Sequence, residues 1–112
     1  MADVGNGKVM TQPEQINNIL IGGCKYFGLT MDELQIKTGS RSIIWEKKRY
    51  LIPILDEYTV CNTDAIANYL GYKSRANVIF HRKNIREALS DEVYGETKTK
   101  RIYNELLSYL NL

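Results

Sequence analysis

The sequence predicts an all-α protein, a compact helical bundle, and three observations carry that reading. Apolar residues recur at the three- and four-residue spacing of helix faces along most of the chain. No stretch sustains the period-two alternation of a strand bounded by turn pairs, and the Asn6-Gly7 pair falls in a loose N-terminus. The 112 residues are 44% apolar and 25% charged, which supports one hydrophobic core and is too short for two. Residues 1–12 read as a flexible segment and residues 13–112 as the single domain, without internal repeat or low-complexity tract.

Pro13 suits the first turn of the first helix, where its missing N–H costs nothing. Ile16, Ile19, Leu20, Cys24 and Phe27 form its stripe, interrupted by Gly22 and Gly23, and Gly28 is a natural stop. Thr30 and Glu33 have capping-box spacing, so a short helix over 31–36 should follow with Leu34 turned inward. Lys37-Thr38-Gly39-Ser40-Arg41-Ser42 is a polar loop with no apolar anchor. Residues 43–58 place Ile44, Leu51, Ile54, Leu55 and Tyr58 on one side, with Glu46, Lys47 and Lys48 away from it. Pro53 should kink or split that helix.

Asn62-Thr63-Asp64 supplies capping residues for a short helix with Ile66 and Leu70 facing in. Gly71-Tyr72-Lys73 makes a turn, and Ser74 caps a longer helix whose buried stripe is Val78, Ile85 and Leu89. Short helix, glycine-containing turn and longer helix is the helix-turn-helix layout. A last helix over roughly 96–110 should bury Ile102, Leu106, Tyr109 and Leu110. Trp45 and the eight tyrosines are expected in or beside the core.

Several function classes find little to build on. The longest apolar runs, such as Asn18-Ile19-Leu20-Ile21, fall far below the ~20 residues of a membrane span, and the N-terminus has no signal-peptide pattern. A cytoplasmic protein without membrane contact is expected. Cys24 and Cys61 make no disulfide framework and read as two small, mostly buried hydrophobes. With one histidine, His81, and no CxxC, the chain struggles to supply a zinc site, and no cofactor is expected.

Gly5-Asn6-Gly7-Lys8-Val9 lacks the spacing and hydroxyl of a phosphate-binding loop, and no Ser or Cys sits in a nucleophile context. His81 reads as partly buried or phosphate-contacting. The chain is therefore expected not to be an enzyme, and no small-molecule substrate is expected.

Charge points elsewhere. The net charge is +2, yet residues 37–90 carry ten Lys or Arg against five acids, flanked by ends of −2 and −1. Such asymmetry suggests a polyanion-facing surface. From Gly71 to Arg86 there are five cations and no acid. On a helix starting at Ser74, residues 75, 79, 82 and 86 share one face, which sets Arg75, Arg82 and Arg86 outward together.

Arg75, Ala76 and Asn77 would sit at the helix N-terminus, where recognition helices meet base edges. Arg can bind guanine bidentately, and Asn can pair with adenine. Lys73, Ser74 and Lys83 complete that surface. Arg41 and Ser42 on the polar loop offer a second contact, with Arg41 suited to a minor groove or a phosphate. Lys47 and Lys48 would extend the electrostatic footprint. Double-stranded DNA is the expected partner.

From about Glu14 to Leu110 the chain resembles the C-terminal DNA-binding domain of the bacterial chromosomal replication initiator DnaA, within the Trp-repressor-like fold. Tyr26 to Leu34 is similar to the family's aromatic-to-acidic-Leu segment after its first helix, and Lys37 to Ser42 to its basic loop. Ala65-Ile66-Ala67-Asn68-Tyr69-Leu70-Gly71 is similar to its E-I-G-x-x-F-G helix, and Val78, Ile79 and Ile85 match apolar positions of its recognition helix.

The resemblance implies a recognition helix in the major groove and Arg41 in the minor groove, in replication initiation or transcription control. The family's G-G-R-D-H-T-T-V signature reads Gly71-Tyr72-Lys73-Ser74-Arg75-Ala76-Asn77-Val78 here, so the same target box is not implied. The ATPase module of true initiators is not in the sequence, which implies a stand-alone domain. The altered motif motivates an alternative, a domain that has lost specific DNA reading and docks on a partner protein.

Overall fold

Residues 12–36, 43–90 and 97–112 are described by a computed structural model. Their helices are α1 (Gln12–Phe27), α2 (Met31–Gln35), α3 (Ile43–Lys48), α4 (Leu51–Tyr58), α5 (Thr63–Tyr69), α6 (Arg75–Ser90) and α7 (Thr97–Tyr109), and no strand occurs among the described residues. The expected all-α bundle is the observed architecture. The expected flexible segment falls almost wholly outside the described residues, as does the loop of Lys37 to Ser42.

The helix ends follow local chemistry. Thr30 and Glu33 form the capping box, with the Glu33 N–H on the Thr30 hydroxyl at 3.0 Å and the Thr30 N–H on the Glu33 carboxylate at 2.9 Å. Asn62 caps α5 through the Ala65 N–H at 2.8 Å. At the α1 terminus Gly28 has φ +71° and the Leu29 N–H reaches back to the Cys24 carbonyl at 2.8 Å. Gly71 does the same after α5, with φ +66° and the Tyr72 N–H on Ala67 at 2.9 Å. These are Schellman endings, which turn the chain sharply while satisfying orphan carbonyls.

Pro53 splits the expected 43–58 helix rather than kinking it. The break falls at Arg49 and Tyr50, which makes Pro53 the third residue of α4. There the N–H that proline lacks would have had no partner inside the helix. The break also resets the helical phase, so faces extrapolated from α4 do not hold in α3. Trp45 and Lys48 are the buried residues of α3, contrary to the expectation that Lys48 points away.

The core centres on α4, whose Leu51, Ile52, Pro53, Ile54 and Leu55 are all buried, and which packs against α1 and α6. Ile16, Ile19, Leu20 and Cys24 meet it from α1, and Val78 and Ile85 from α6. Gly22 and Gly23 have a packing reason. A methyl group on Gly23 would collide with the Leu51 side chain, and one on Gly22 with Leu110, so the helices close on bare backbone. α7 contributes the buried Leu106, with Ile102 and Leu110 partly buried, while Tyr109 is exposed rather than buried as expected. No helix of the described residues is long and apolar enough to cross a membrane.

Candidate nucleic-acid interface

The interface begins with the joint between α5 and α6. Gly71 adopts the left-handed conformation, and a side chain there would run into the backbone of Gln35. Tyr72 drops into the interior, 1% exposed. Ser74 precedes α6, where the Ser74 N–H donates to the Asn77 side-chain oxygen at 3.3 Å. α5 then packs along α6 and fixes the direction in which α6 projects.

Around α6, Val78, His81 and Ile85 face the interior. Arg75, Ala76, Ile79, Phe80, Lys83 and Arg86 are exposed. Lys73 and Ser74 continue that surface from the turn, and Asn77 lies half-buried at its edge. Among the described residues Lys73 and Lys83 make no ion pair, and Arg75 makes only a 3.9 Å approach to the exposed Asp64. Three cations therefore stand largely uncommitted along the joint and the outer face of α6.

Arg82 departs from expectation. Its guanidinium grips Asp56 of α4 with both prongs, Nε to Oδ2 at 2.8 Å and Nη2 to Oδ1 at 3.0 Å, and donates from Nη1 to the Thr63 hydroxyl at 3.1 Å. It is a strut between α6, α4 and α5. Arg86 adds a contact to the same Asp56 oxygen at 3.1 Å while its side chain stays 58% exposed. The outward trio is thus reduced to Arg75, with Arg86 partly engaged. Angle around a helix cannot reveal an acid on a neighbouring helix, and Asp56 was that missing piece.

Lys47 and Lys48 also serve inward. Lys47 is half-buried, with its ammonium 3.3 Å from the Phe27 carbonyl at the end of α1. Lys48 is fully buried and donates to the carbonyls of Leu34 at 3.3 Å and Gly71 at 3.4 Å, the ends of α2 and the α5 turn. Helix C-termini present unpaired carbonyls and the negative end of the dipole, so α3 supplies cations to three of them. The Lys48 ammonium also stands 4.7 Å from the Tyr72 ring centre. Burial pulls its pKa down to about 8. Lys48 is therefore no part of a surface footprint. Arg41 and Ser42 lie outside the described residues.

Beside this joint, His81 is buried in an aromatic box. Its ring stacks on Tyr72 with centroids 5.3 Å apart and meets Trp45 and Phe80 edge-on at 4.9 and 5.2 Å. Among the described residues neither imidazole nitrogen finds a hydrogen-bond partner, and neither does the buried Tyr72 hydroxyl. Burial, then the charges of Arg49 and Lys48, hold the His81 pKa below its ordinary value, so the ring is neutral at pH 7. The sequence marked His81 as partly buried or phosphate-contacting, and the three rings around it come from residues that spacing alone does not bring together.

No family model, curated protein or solved structure matches this chain.

The arrangement can offer exposed cations and a projecting helix to a polyanion, with backbone geometry set by the Gly71 turn. Among the described residues no group of three or more His, Cys, Asp or Glu is placed to hold a metal ion. Cys24 is buried and Cys61 half-buried, both as free thiols.

Proposed function

We propose that this protein binds double-stranded DNA sequence-specifically, with α6 in the major groove and Arg41 of the preceding basic loop in the minor groove, in replication initiation or transcription control. One observation carries the reading: the exposed face of α6 and its turn hold Lys73, Arg75 and Lys83, with no acid between Gly71 and Arg86. A B-form major groove admits a helix of this size, and phosphates lie on both sides of it. Arg75, on the first turn of α6, is the candidate for guanine. Ser74 and Asn77 would meet the adjoining backbone or base edge, although the Asn77 side-chain oxygen already serves the Ser74 N–H. Arg82 is assigned to holding α6 in place.

Selection from a random duplex library at about 150 mM salt tests the reading, because nonspecific phosphate attraction is then strongly weakened. An enriched motif is the expected result. Arg75→Ala should relax preference at one base position by ~1–3 kcal/mol, whereas Lys83→Ala should weaken all sequences alike. Failure to bind any duplex at moderate salt would overturn the proposal and turn attention to docking on a partner protein.

A further inference from the structure

The outer face of α6 holds an apolar strip among its cations. Ile79 is 51% exposed and Phe80 61%, with the exposed Ala76 one turn before them. Leaving such side chains in water is unfavourable, and the interior had no need of them, since Val78 and Ile85 are fully buried on the opposite side of the same helix. Arg75 and Lys83 lie beside the strip on the same helix, with the exposed Glu87 one turn beyond Lys83, and an apolar surface with cations alongside suits a duplex groove walled by phosphates.

We infer that Ala76, Ile79 and Phe80 read the C5-methyl groups of pyrimidines, so that the preferred site carries adjacent thymines facing α6. The inference rests on the DNA-binding reading above. In unmodified duplex DNA the thymine methyl is the apolar group exposed on a base edge in the major groove. From Ala76 to Phe80 the helix advances about 6 Å at ~1.5 Å per residue, and successive bases rise ~3.4 Å, so the strip spans about two base steps. Ala76 and Phe80 lie four residues apart on neighbouring turns, and Ile79 stands beside them, as two consecutive methyls would require. Polar groups at these positions would instead have suited the amino and carbonyl edges.

The test uses the full chain and the best duplex from library selection. Each thymine is replaced in turn by uracil, which removes the methyl and leaves base pairing intact. One methyl buried against Ile79 or Phe80 should give about a fourfold loss of affinity, and two adjacent ones about tenfold or more. Ile79→Ala and Phe80→Ala should erase the difference in affinity between thymine and uracil duplexes, and a difference that persists in both variants would count against methyl contact by these side chains.

5-Methylcytosine carries the same group. If the methyl alone is read, a duplex with 5-methylcytosine at the critical position should regain part of the affinity that unmodified cytosine loses. Absence of that gain would oppose methyl reading. Equal affinity of the unaltered protein for thymine and uracil duplexes would overturn the inference and leave DNA binding standing. Absence of any duplex binding would remove both.

Discussion

Lys48 and His81 place titratable groups where water cannot reach them, and their signs can be worked out separately. Lys48 has a pKa of about 8 in the fold against an ordinary value of 10.5. Between those values the unfolded chain holds a proton that the folded one has released, so stability rises with pH. Denaturant midpoints measured from pH 8 to 10 should show a gain of ~2 kcal/mol from this lysine, absent in Lys48→Met.

His81 has a depressed pKa, so its neutral form is the one the fold favours. As pH falls below 6.5 the unfolded chain takes up the proton first, and stability falls. His81→Phe keeps a ring against Tyr72 and Trp45 and removes two unpartnered nitrogens. Its thermal stability should be equal or greater at pH 7, and flatter in acid than that of the unaltered chain. A steeper acid loss in the variant would contradict the stacking account.

At the scale of elements, the joints decide the architecture. Gly71→Ala would force a side chain into φ +66° and against the backbone of Gln35, so urea unfolding should show a loss of at least ~2 kcal/mol. Arg82→Ala should cost about 2 kcal/mol by leaving the Asp56 carboxylate, 15% exposed, with only the Arg86 contact. It should also change the salt dependence of DNA binding less than Lys83→Ala does.

Much of this level was legible in the chain itself. Thr30 with Glu33, Asn62, Gly28 and Gly71 act through neighbours within a few residues, and sequence spacing contains that information. Pro53 signalled a break but not its place, because proline is tolerated at any position of a helix's first turn and so leaves the start of α4 open by several residues. The strut of Arg82 was not legible, since its partner Asp56 stands twenty-six residues away on another helix.

For the whole molecule, the helical class followed from periodicity because a long apolar stripe has few alternatives. The candidate surface was only partly visible. A net charge of +5 over residues 37–90 counts Lys48 and Arg82, yet one neutralises helix ends inside the fold and the other is held by Asp56. Formal charge overstates the cationic surface wherever cations serve as internal fasteners. Under the proposed DNA reading, the salt slope of duplex binding should accordingly reflect Lys73, Arg75, Lys83 and the partly committed Arg86. In a plot of log affinity against log salt, Lys83→Ala should lower the slope by about one. An unchanged slope would place Lys83 away from phosphate.

The seclusion of Lys48 has a kinetic consequence as well. Amine-directed reagents should modify exposed lysines such as Lys73 and Lys83 readily and spare Lys48 until α3 parts from the ends of α2 and α5. With a pKa of about 8 it already has a large neutral fraction near that pH, so access rather than deprotonation would limit its reaction. Its labelling rate would then act as a clock for opening of the joint that sets the direction of α6, and under the proposed DNA reading a bound duplex should slow that clock.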